Sequence, residues 1–204
     1  MKNFAPLKVY KKINLLLEPR GLELDDEIIP EEELNNKLFM DNYYQINCND
    51  TRGRTDKTII LLLSPNSHFE VGDKASAKFK QLIQRTIKSN KGKIDIILIT
   101  KNKLPTVRIN TLKTLSNDQV RIQYTRYYNI LADPLNHTLA PIYEIITGEE
   151  MDEIINFYRK PLEFYPRFID EDPICLFIDP PHHSLIKITR DTYRNTEITY
   201  KYYA

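Results

Sequence analysis

The chain is poor in glycine and cysteine, and each scarcity excludes a class of protein. Five glycines in 204 residues are too few for the loops that bring backbone amides to the phosphates of nucleotide cofactors. Two cysteines, Cys48 and Cys175, cannot supply a disulfide framework at this length, and neither lies in a CxxC pair. The sequence therefore predicts a reducing compartment and no cofactor.

Long apolar runs are also lacking. The longest, Ile59 to Leu63 and Ile174 to Ile178, span five residues each, whereas a membrane-spanning helix needs about 20. Residues 1–20 contain scattered lysines and no continuous apolar stretch of the kind found in signal peptides. Because 41% of residues are hydrophobic and 28% are charged, as in globular proteins, we expect a folded intracellular protein that neither crosses a membrane nor is secreted.

The net charge of +1 conceals three segments of different sign. Residues 1–40 carry a net charge of −2, residues 41–135 of +8, and residues 136–204 of −5. A basic middle segment suggests a polyanionic partner, and an acidic final segment suggests contact with protein. Composition thus predicts two domains, 1–135 and 136–204, the first consisting of a helical start (1–40) and a basic layer (41–135).

Apolar spacing predicts an α/β arrangement in the first domain. Helical spacing predicts a helix over 7–18, ended by Pro19-Arg20-Gly21. Pro30 opens a second helix, whose apolar face we expect to hold Leu34, Leu38 and Phe39. Buried strands over 58–63 and 93–100 flank a helix from Asp73 to about Asn90, and 119–125 alternates as a third strand. These elements predict a small mixed or parallel sheet with helices.

Two groups of basic residues are candidates for contact with nucleic acid. On the helix from Asp73, a step of 100° per residue places the apolar residues on one face and an acid-free stripe opposite. That stripe consists of Lys74, Lys78, Gln81, Arg85 and Lys88. The second group, Lys101, Lys103 and Arg108, follows the carboxyl end of the second strand, where α/β sheets carry ligand-binding loops, and Pro105 would stiffen that loop. Solvated surface is the ordinary alternative for both groups.

The second domain has the signals of a compact α+β unit. Thr147-Gly148-Glu149-Glu150 has the form of a capping box that opens a helix, and Asp172-Pro173 opens a short helix through Ile178. Residues 185–189 and 198–203 alternate as the two strands of a hairpin.

Catalytic and metal-binding patterns are weak. A nuclease metal site is the chief alternative for a basic α/β layer, with Asp95 as its acid, but no Asp or Glu is followed two residues later by Lys. His182, His183 and Cys175 lack zinc-site spacing, and nothing marks Cys48 as an activated nucleophile. The sequence predicts no catalytic residue and no metal ligand.

Residues 137–201 contain a series of motifs in order: His137-Thr138-Leu139-Ala140-Pro141, Glu150, Tyr158, Pro166-Arg167-Phe168, Asp172-Pro173, Leu185-Ile186-Lys187-Ile188-Thr189-Arg190 and Tyr200-Lys201. The series resembles the C-terminal domain of the fifth subunit shared by eukaryotic nuclear RNA polymerases, and the counterpart of that domain in the archaeal enzyme. The first domain, with Arg20-Gly21, resembles the N-terminal jaw domain of the eukaryotic subunit. The sequence departs from the family at Tyr143, where a second His is usual, at His183, where Gly is usual, and at the hairpin turn around Asn195.

The resemblance implies a non-catalytic subunit of a multisubunit DNA-directed RNA polymerase. The C-terminal domain would dock on the largest subunit, and the jaw would lie beside downstream DNA, with no small-molecule substrate. The implied structural or subunit-contacting residues are His137, Pro141, Pro166, Arg167, Asp172, Pro173, Lys187, Arg190, Tyr200 and Lys201. Together with 26 Ile and 16 Asn, the divergence suggests a copy from a large cytoplasmic DNA virus resembling the asfarviruses, found in host cytoplasm and virion.

Two alternatives from other classes stay open. A free-standing nucleic-acid-binding regulator would bind DNA as the isolated chain through Lys101, Lys103 and Arg108. A divergent nuclease would cleave nucleic acid with a divalent metal and lose that activity on Asp95→Ala.

Overall fold

The computed structural model describes residues 5–25, 27, 29–65, 73–169, 172–191 and 195–204, and the side chains of all of these except 73–76. The chain divides into two units, Met1–Leu131 and Ala132–Ala204. The division lies between residues 131 and 132, whereas composition suggested one after residue 135. No helix of the described part is both long and apolar enough to cross a membrane.

The first unit begins with two short helices where one was predicted. Helices α1 (Ala5–Lys11) and α2 (Asn14–Arg20) are separated at Ile13, whose amide bonds to the Tyr10 carbonyl three residues back. This tighter turn interrupts the helix but keeps the apolar residues on one side. The predicted stop is confirmed at Gly21, which ends α2 in the left-handed conformation at φ 65°, although Pro19 lies inside the helix.

A five-stranded mixed sheet forms the centre of the first unit. Its strands are β1 (Leu22–Leu24), β2 (Tyr43–Asp50), β3 (Lys57–Leu63), β4 (Ile94–Thr100) and β5 (Val120–Arg126), in the spatial order in which they occur in the chain. The three predicted strands, β3 to β5, are confirmed and pair in parallel. Strands β1 and β2 were not predicted, and they pair antiparallel at one side of the sheet.

Helices α4 (Asp73–Ser89) and α5 (Thr106–Leu115) cover one face of this sheet, where they enclose a core that includes Ile96, Phe79 and Leu112. Helix α4 was predicted, but α5 lies where a loop was expected. The polypeptide after β5 forms the short helix α6 (Tyr127–Ala132), and the Tyr127 hydroxyl donates a hydrogen bond to the Leu63 carbonyl.

Helix α3 (Glu31–Met40) buries two of the three residues that were predicted to form its apolar face. Leu34 and Leu38 are buried, but Phe39 is 84% exposed. Since Phe39 is rotated by about 100° from Leu38 around the helix, it faces solvent, and assigning it to the apolar face was wrong.

The second unit is a three-stranded antiparallel sheet with a helix on each face. Its elements are β6 (Ile142–Ile146), α7 (Gly148–Tyr158), a 3₁₀ turn (Leu162–Phe164), α8 (Pro173–Ile178), β7 (Ser184–Asp191) and β8 (Thr196–Tyr203), with strand order β6-β7-β8. The predicted hairpin is confirmed as β7 and β8, paired from Ser184↔Tyr203 to Asp191↔Thr196. Strand β6 was not predicted.

Alternation along β7 directs side chains to two separate cores. Ile186 packs with Cys175 and Ile178 of α8 on one face. Leu185 packs with Ile146 and is covered by half-buried residues of α7 on the other. The first unit is thus α/β and the second α+β, as predicted.

The two predicted helix starts of this unit differ in outcome. Asp172 caps α8 as predicted, because its carboxylate accepts the Ile174 amide at 2.9 Å. Thr147 occupies the N-cap of α7 but makes no capping hydrogen bond through its side chain. The start of α7 is therefore confirmed, whereas the hydrogen bonding expected of a capping box is not formed.

Candidate nucleic-acid and subunit interfaces

Asp95, the candidate metal ligand, lies in a buried ionic cluster on the sheet of the first unit. Its Oδ2 atom lies 2.7 Å from an Arg20 guanidinium nitrogen and 2.6 Å from one of Arg121. The Arg20 side chain also donates to the Gln123 amide oxygen at 3.0 Å. Arg20 and Asp95 are 0% and 1% exposed. Two guanidinium groups thus occupy the position that a cation would need, so this carboxylate is structural.

The exposed side of α4 carries basic and neutral residues and no acid over its described length. Lys78, Gln81, Arg85 and Lys88 are exposed as the predicted stripe requires, and Lys80 is exposed as well. The side chain of Lys74 lies outside the described residues. Lys78 and Lys88 are ten residues apart, which is about 15 Å along a helix. That length parallels roughly four phosphates of one DNA strand.

The second basic group is only partly as predicted. Lys101 and Lys103 are exposed in the connection that follows β4. Arg108 instead lies in α5, is 4% exposed, and its guanidinium lies 5.7 Å from the centre of the Phe79 ring. Placing Arg108 in a loop was wrong, because Pro105 is the N-cap of a helix that turns the arginine inward onto the aromatic core. A side chain so buried has no surface to offer a phosphate.

The topology relates the two remaining basic groups. Strands β3 and β4 are parallel, and α4 connects them. The helix therefore returns from the carboxyl end of β3 to the amino end of β4. Its first turns lie at the same end of the sheet as Lys101 and Lys103, which follow the carboxyl end of β4.

In the second unit, the Pro166-Arg167-Phe168 motif lies along the edge of β8. The Tyr202 amide donates to the Pro166 carbonyl at 2.8 Å, and the Phe168 amide donates to the Tyr202 carbonyl at 2.7 Å. Arg167 thereby forms a parallel bridge with Tyr202. Proline is suited to this position because an edge segment need not donate a hydrogen bond from every residue.

Lys187 and Tyr200 are brought together as cross-strand neighbours on the face that α7 partly covers. The Lys187 ammonium lies 2.7 Å from the Glu144 carboxylate of β6. The hydrogen bond from Lys187 to Glu144 raises the pKa of Lys187. Burial raises the pKa of Tyr200. The row Glu144, Lys187, Tyr200 is therefore a cross-strand ion pair beside a neutral phenol.

The remaining motif residues have separate roles. The His137 Nδ1 accepts the Leu139 amide at 3.2 Å in an exposed turn, and Pro141 follows before β6. Pro173 is the first residue of α8. The Lys201 ammonium lies 5.5 Å from the centre of the Phe168 ring, and Arg190 is exposed near the far end of β7. These residues do not converge on one point, so the motif is a property of the whole unit.

The described histidines and cysteines have been compared with the ligand groups that metal centres need. No group of three or more His, Cys, Asp or Glu side chains among the described residues could hold a metal ion. His182 stacks on Tyr203 and the His183 Nδ1 lies 2.7 Å from the Tyr202 hydroxyl. Burial, with a smaller contribution from the charge of Asp25, raises the pKa of the Cys48 thiol to about 12. His68 lies outside the described residues.

The departure at position 183 has a backbone explanation. His183 adopts φ 62°, in the left-handed region that glycine enters freely. The glycine usual in the resembling family therefore suits the conformation of this turn. In this chain the hydrogen bond to Tyr202 accompanies the substitution.

Exposed apolar residues on the second unit were missed by the sequence analysis. Helix α7 contains no buried residue, and its Phe157 is 80% exposed beside the half-exposed Tyr158. Others in this unit are Leu139, Ile142, Phe164 and Ile198. The sequence feature that could have indicated this exposed surface was Phe157, which falls outside the apolar face of α7. Exposed aromatic side chains such as Phe157 and Tyr158 are enriched in protein interfaces.

Comparison with known proteins gives matches to the second unit. A family model described as RNA polymerase Rpb5, C-terminal domain, matches residues 132–203. The DNA-directed RNA polymerase subunit Rpo5 of Methanococcus maripaludis strain C7 is 32% identical over 65 residues, which are 32% of this chain and 83% of that protein. The Rpo5 subunit of Methanosphaera stadtmanae is 32% identical over 59 residues, 29% of this chain and 77% of that protein.

Proposed function

Since the chain belongs to the Rpb5 and Rpo5 family of RNA polymerase subunits, we propose that it is a non-catalytic subunit of a multisubunit DNA-directed RNA polymerase. The observation that carries this proposal is the family match over residues 132–203, which nearly coincides with the second structural unit, Ala132–Ala204. The intracellular location predicted from the sequence follows from this role.

The second unit is the assembly domain, and its partner is the largest polymerase subunit. The exposed apolar side chains of α7 and of the sheet support this assignment, because exposed aromatic side chains are enriched in protein interfaces. The acidic balance of residues 136–204 opposes contact of this unit with nucleic acid.

The first unit is a jaw that lies beside downstream DNA. Support comes from the acid-free stripe of α4 together with Lys101 and Lys103, whose described side chains are all exposed. Contacts from about three cations give nonspecific affinities on the order of 10⁻⁴ to 10⁻⁶ M. Such a surface suits a subunit held near DNA by its assembly better than a protein that must find DNA alone.

Two finer proposals concern the chain's chemistry and origin. The chain supplies no catalytic residue to the polymerase, and the engagement of Asp95 by Arg20 and Arg121 supports this. Its isoleucine and asparagine content supports an origin in a large cytoplasmic DNA virus, with transcription in host cytoplasm and packaging in the virion.

Affinity purification tests the function. The tagged full chain is purified in high salt from cells that naturally express it, and bound proteins are identified by mass spectrometry. We expect stoichiometric recovery of the two largest polymerase subunits. Recovery of the chain alone, or with nucleic acid that is lost in salt, would favour the free-standing regulator instead.

A further inference from the structure

The hydrogen bonds of Tyr202 reveal which backbone groups of β8 point away from the sheet. Its amide and carbonyl bond to Pro166 and Phe168, so neither bonds to β7. In an antiparallel pair, residues that bond to the neighbouring strand alternate with residues whose amide and carbonyl both point outward. The pairing of β7 with β8 is continuous, so Tyr200 and Ile198 also direct both groups outward.

This outer edge is only half occupied. The segment containing Pro166 and Phe168 pairs with β8 only at Tyr202, and the residues before it form the 3₁₀ turn, which the Tyr165 amide closes on the Leu162 carbonyl. Among the described residues, no hydrogen bond reaches the backbone of Ile198 or Tyr200. Two donors and two acceptors therefore stand in a row with strand spacing.

Apolar side chains flank these open backbone groups. Ile198 is 48% exposed. The Tyr200 ring lies 5.9 Å from the Tyr158 ring and 6.4 Å from the Tyr165 ring, centre to centre. Tyr158 is itself 53% exposed, so the edge borders an aromatic surface.

We propose that the edge of β8 at Ile198–Tyr200 accepts an extended segment of another polymerase subunit as an added strand. The proposal rests on the proposed function, because it presupposes assembly into a polymerase. Outward amides and carbonyls at strand spacing select an extended chain over a helix, whose own groups are already paired. The Pro166-Phe168 segment is an occupant of this kind on the same edge. Alternate apolar side chains of the incoming strand contact Ile198 and the tyrosine cluster.

The test uses substitutions that remove one outward amide. In Ile198→Pro the lost amide bonds to none of the residues that the structure describes, and proline is tolerated at such edge positions. Ile198→Val keeps the amide. Ile145→Pro is the matched control at the opposite edge of the sheet. Because Tyr202 directs its backbone groups outward, its partner Leu185 directs its own toward β6, where they bond to Ile146. The next residue along β6, Ile145, therefore points its amide away from the sheet.

Each tagged variant is purified from cells as above. Circular dichroism first compares the secondary structure of the variant with that of the wild type, and recovery of the largest polymerase subunits is then measured. We expect Ile198→Pro to reduce recovery by about tenfold or more. This corresponds to the loss of one hydrogen bond, which leaves one carbonyl of the added strand without a donor. Ile198→Val and Ile145→Pro retain recovery. Wild-type recovery of Ile198→Pro, or equal loss in Ile145→Pro, overturns the edge proposal and leaves the function standing. Failure of the wild-type chain to recover polymerase overturns both.

Hydrogen exchange supplies a readout that needs no substitution. In the isolated chain no described residue bonds to the amides of Ile198 and Tyr200, whereas the proposal has the added strand bond to them in the assembled polymerase. We expect exchange of the peptide covering 196–201 to slow by at least about tenfold on assembly. Unchanged exchange would overturn the proposal even if Ile198→Pro failed to fold.

Discussion

Removal of the buried charge of Asp95 should destabilise the first unit strongly. The Arg20 and Asp95 side chains are 1% and 2% exposed, with N and O atoms 2.7 Å apart. At an effective dielectric constant of about 20 their attraction is about 6 kcal/mol, offset by the cost of desolvating both ions. Asp95→Asn keeps the shape but removes the negative charge that lies beside the buried Arg20 guanidinium. We expect a loss of about 3–5 kcal/mol in the free energy of unfolding.

Urea unfolding followed by circular dichroism measures this loss, since the chain has no tryptophan to serve as a fluorescent reporter. With a slope of about 2 kcal/mol per molar urea, the midpoint should fall by about 2 M. Replacing both ions with apolar residues, as in Arg20→Met with Asp95→Leu, should restore most of the stability, because no unpaired charge is then buried.

Arg121→Ala is the matched control. The Arg121 side chain is 39% exposed, so the pair is screened by solvent, and its loss should cost less than about 1 kcal/mol. A loss below about 1 kcal/mol for Asp95→Asn, or a double variant no more stable than the single one, would refute the reasoning.

Three other predictions concern binding, reactivity and capping. Replacing Lys78, Arg85 and Lys88 with Glu should change how DNA binding by the assembled polymerase depends on salt. The three cations contribute about −2.7 to the slope of log affinity against log salt concentration, so their contribution weakens about 40-fold over a fourfold rise in salt. An unchanged slope would show that this stripe does not contact DNA. Because the Cys48 pKa of about 12 keeps the thiol protonated, alkylation at pH 8.5 should require unfolding, and rapid labelling of the native chain would contradict this. Asp172→Ala should lower the free energy of unfolding of the second unit by about 1 kcal/mol through loss of the α8 cap, whereas Asp172→Asn, measured by the same urea titration, should not.

Strands and helices with continuous apolar patterns could be predicted from the sequence, and those with mixed patterns could not. Strands β3 and β4 are nearly uninterrupted runs of Ile and Leu. In β2, the buried Ile46 and Cys48 alternate with asparagines, which are depleted in strands, so pairing with β3 overrides a weak local preference. Helix α5 has β-branched residues and no clear apolar face, and its position is fixed by packing on the sheet.

The candidate site residues also differ in whether a local sequence pattern or a long-range contact determines their position. Exposure of Lys78, Arg85 and Lys88 follows from helical periodicity once the apolar face of α4 is known. Burial of Arg108 could not be predicted, because it depends on an aromatic ring from a different helix. The open edge of β8 depends on the short segment at Pro166, whose pairing with β8 is a long-range contact that no local pattern encodes.

Helix α7 has a consequence for the dynamics of the free subunit. A segment opens locally at a free energy set by the contacts that it breaks, and α7 packs on the sheet only through half-buried residues such as Met151 and Ile154. In the free subunit it should therefore open at a lower free energy than the strands that it covers. A partner that covers Phe157 and Tyr158 would raise the free energy of this opening, so assembly would order the helix as well as bind it.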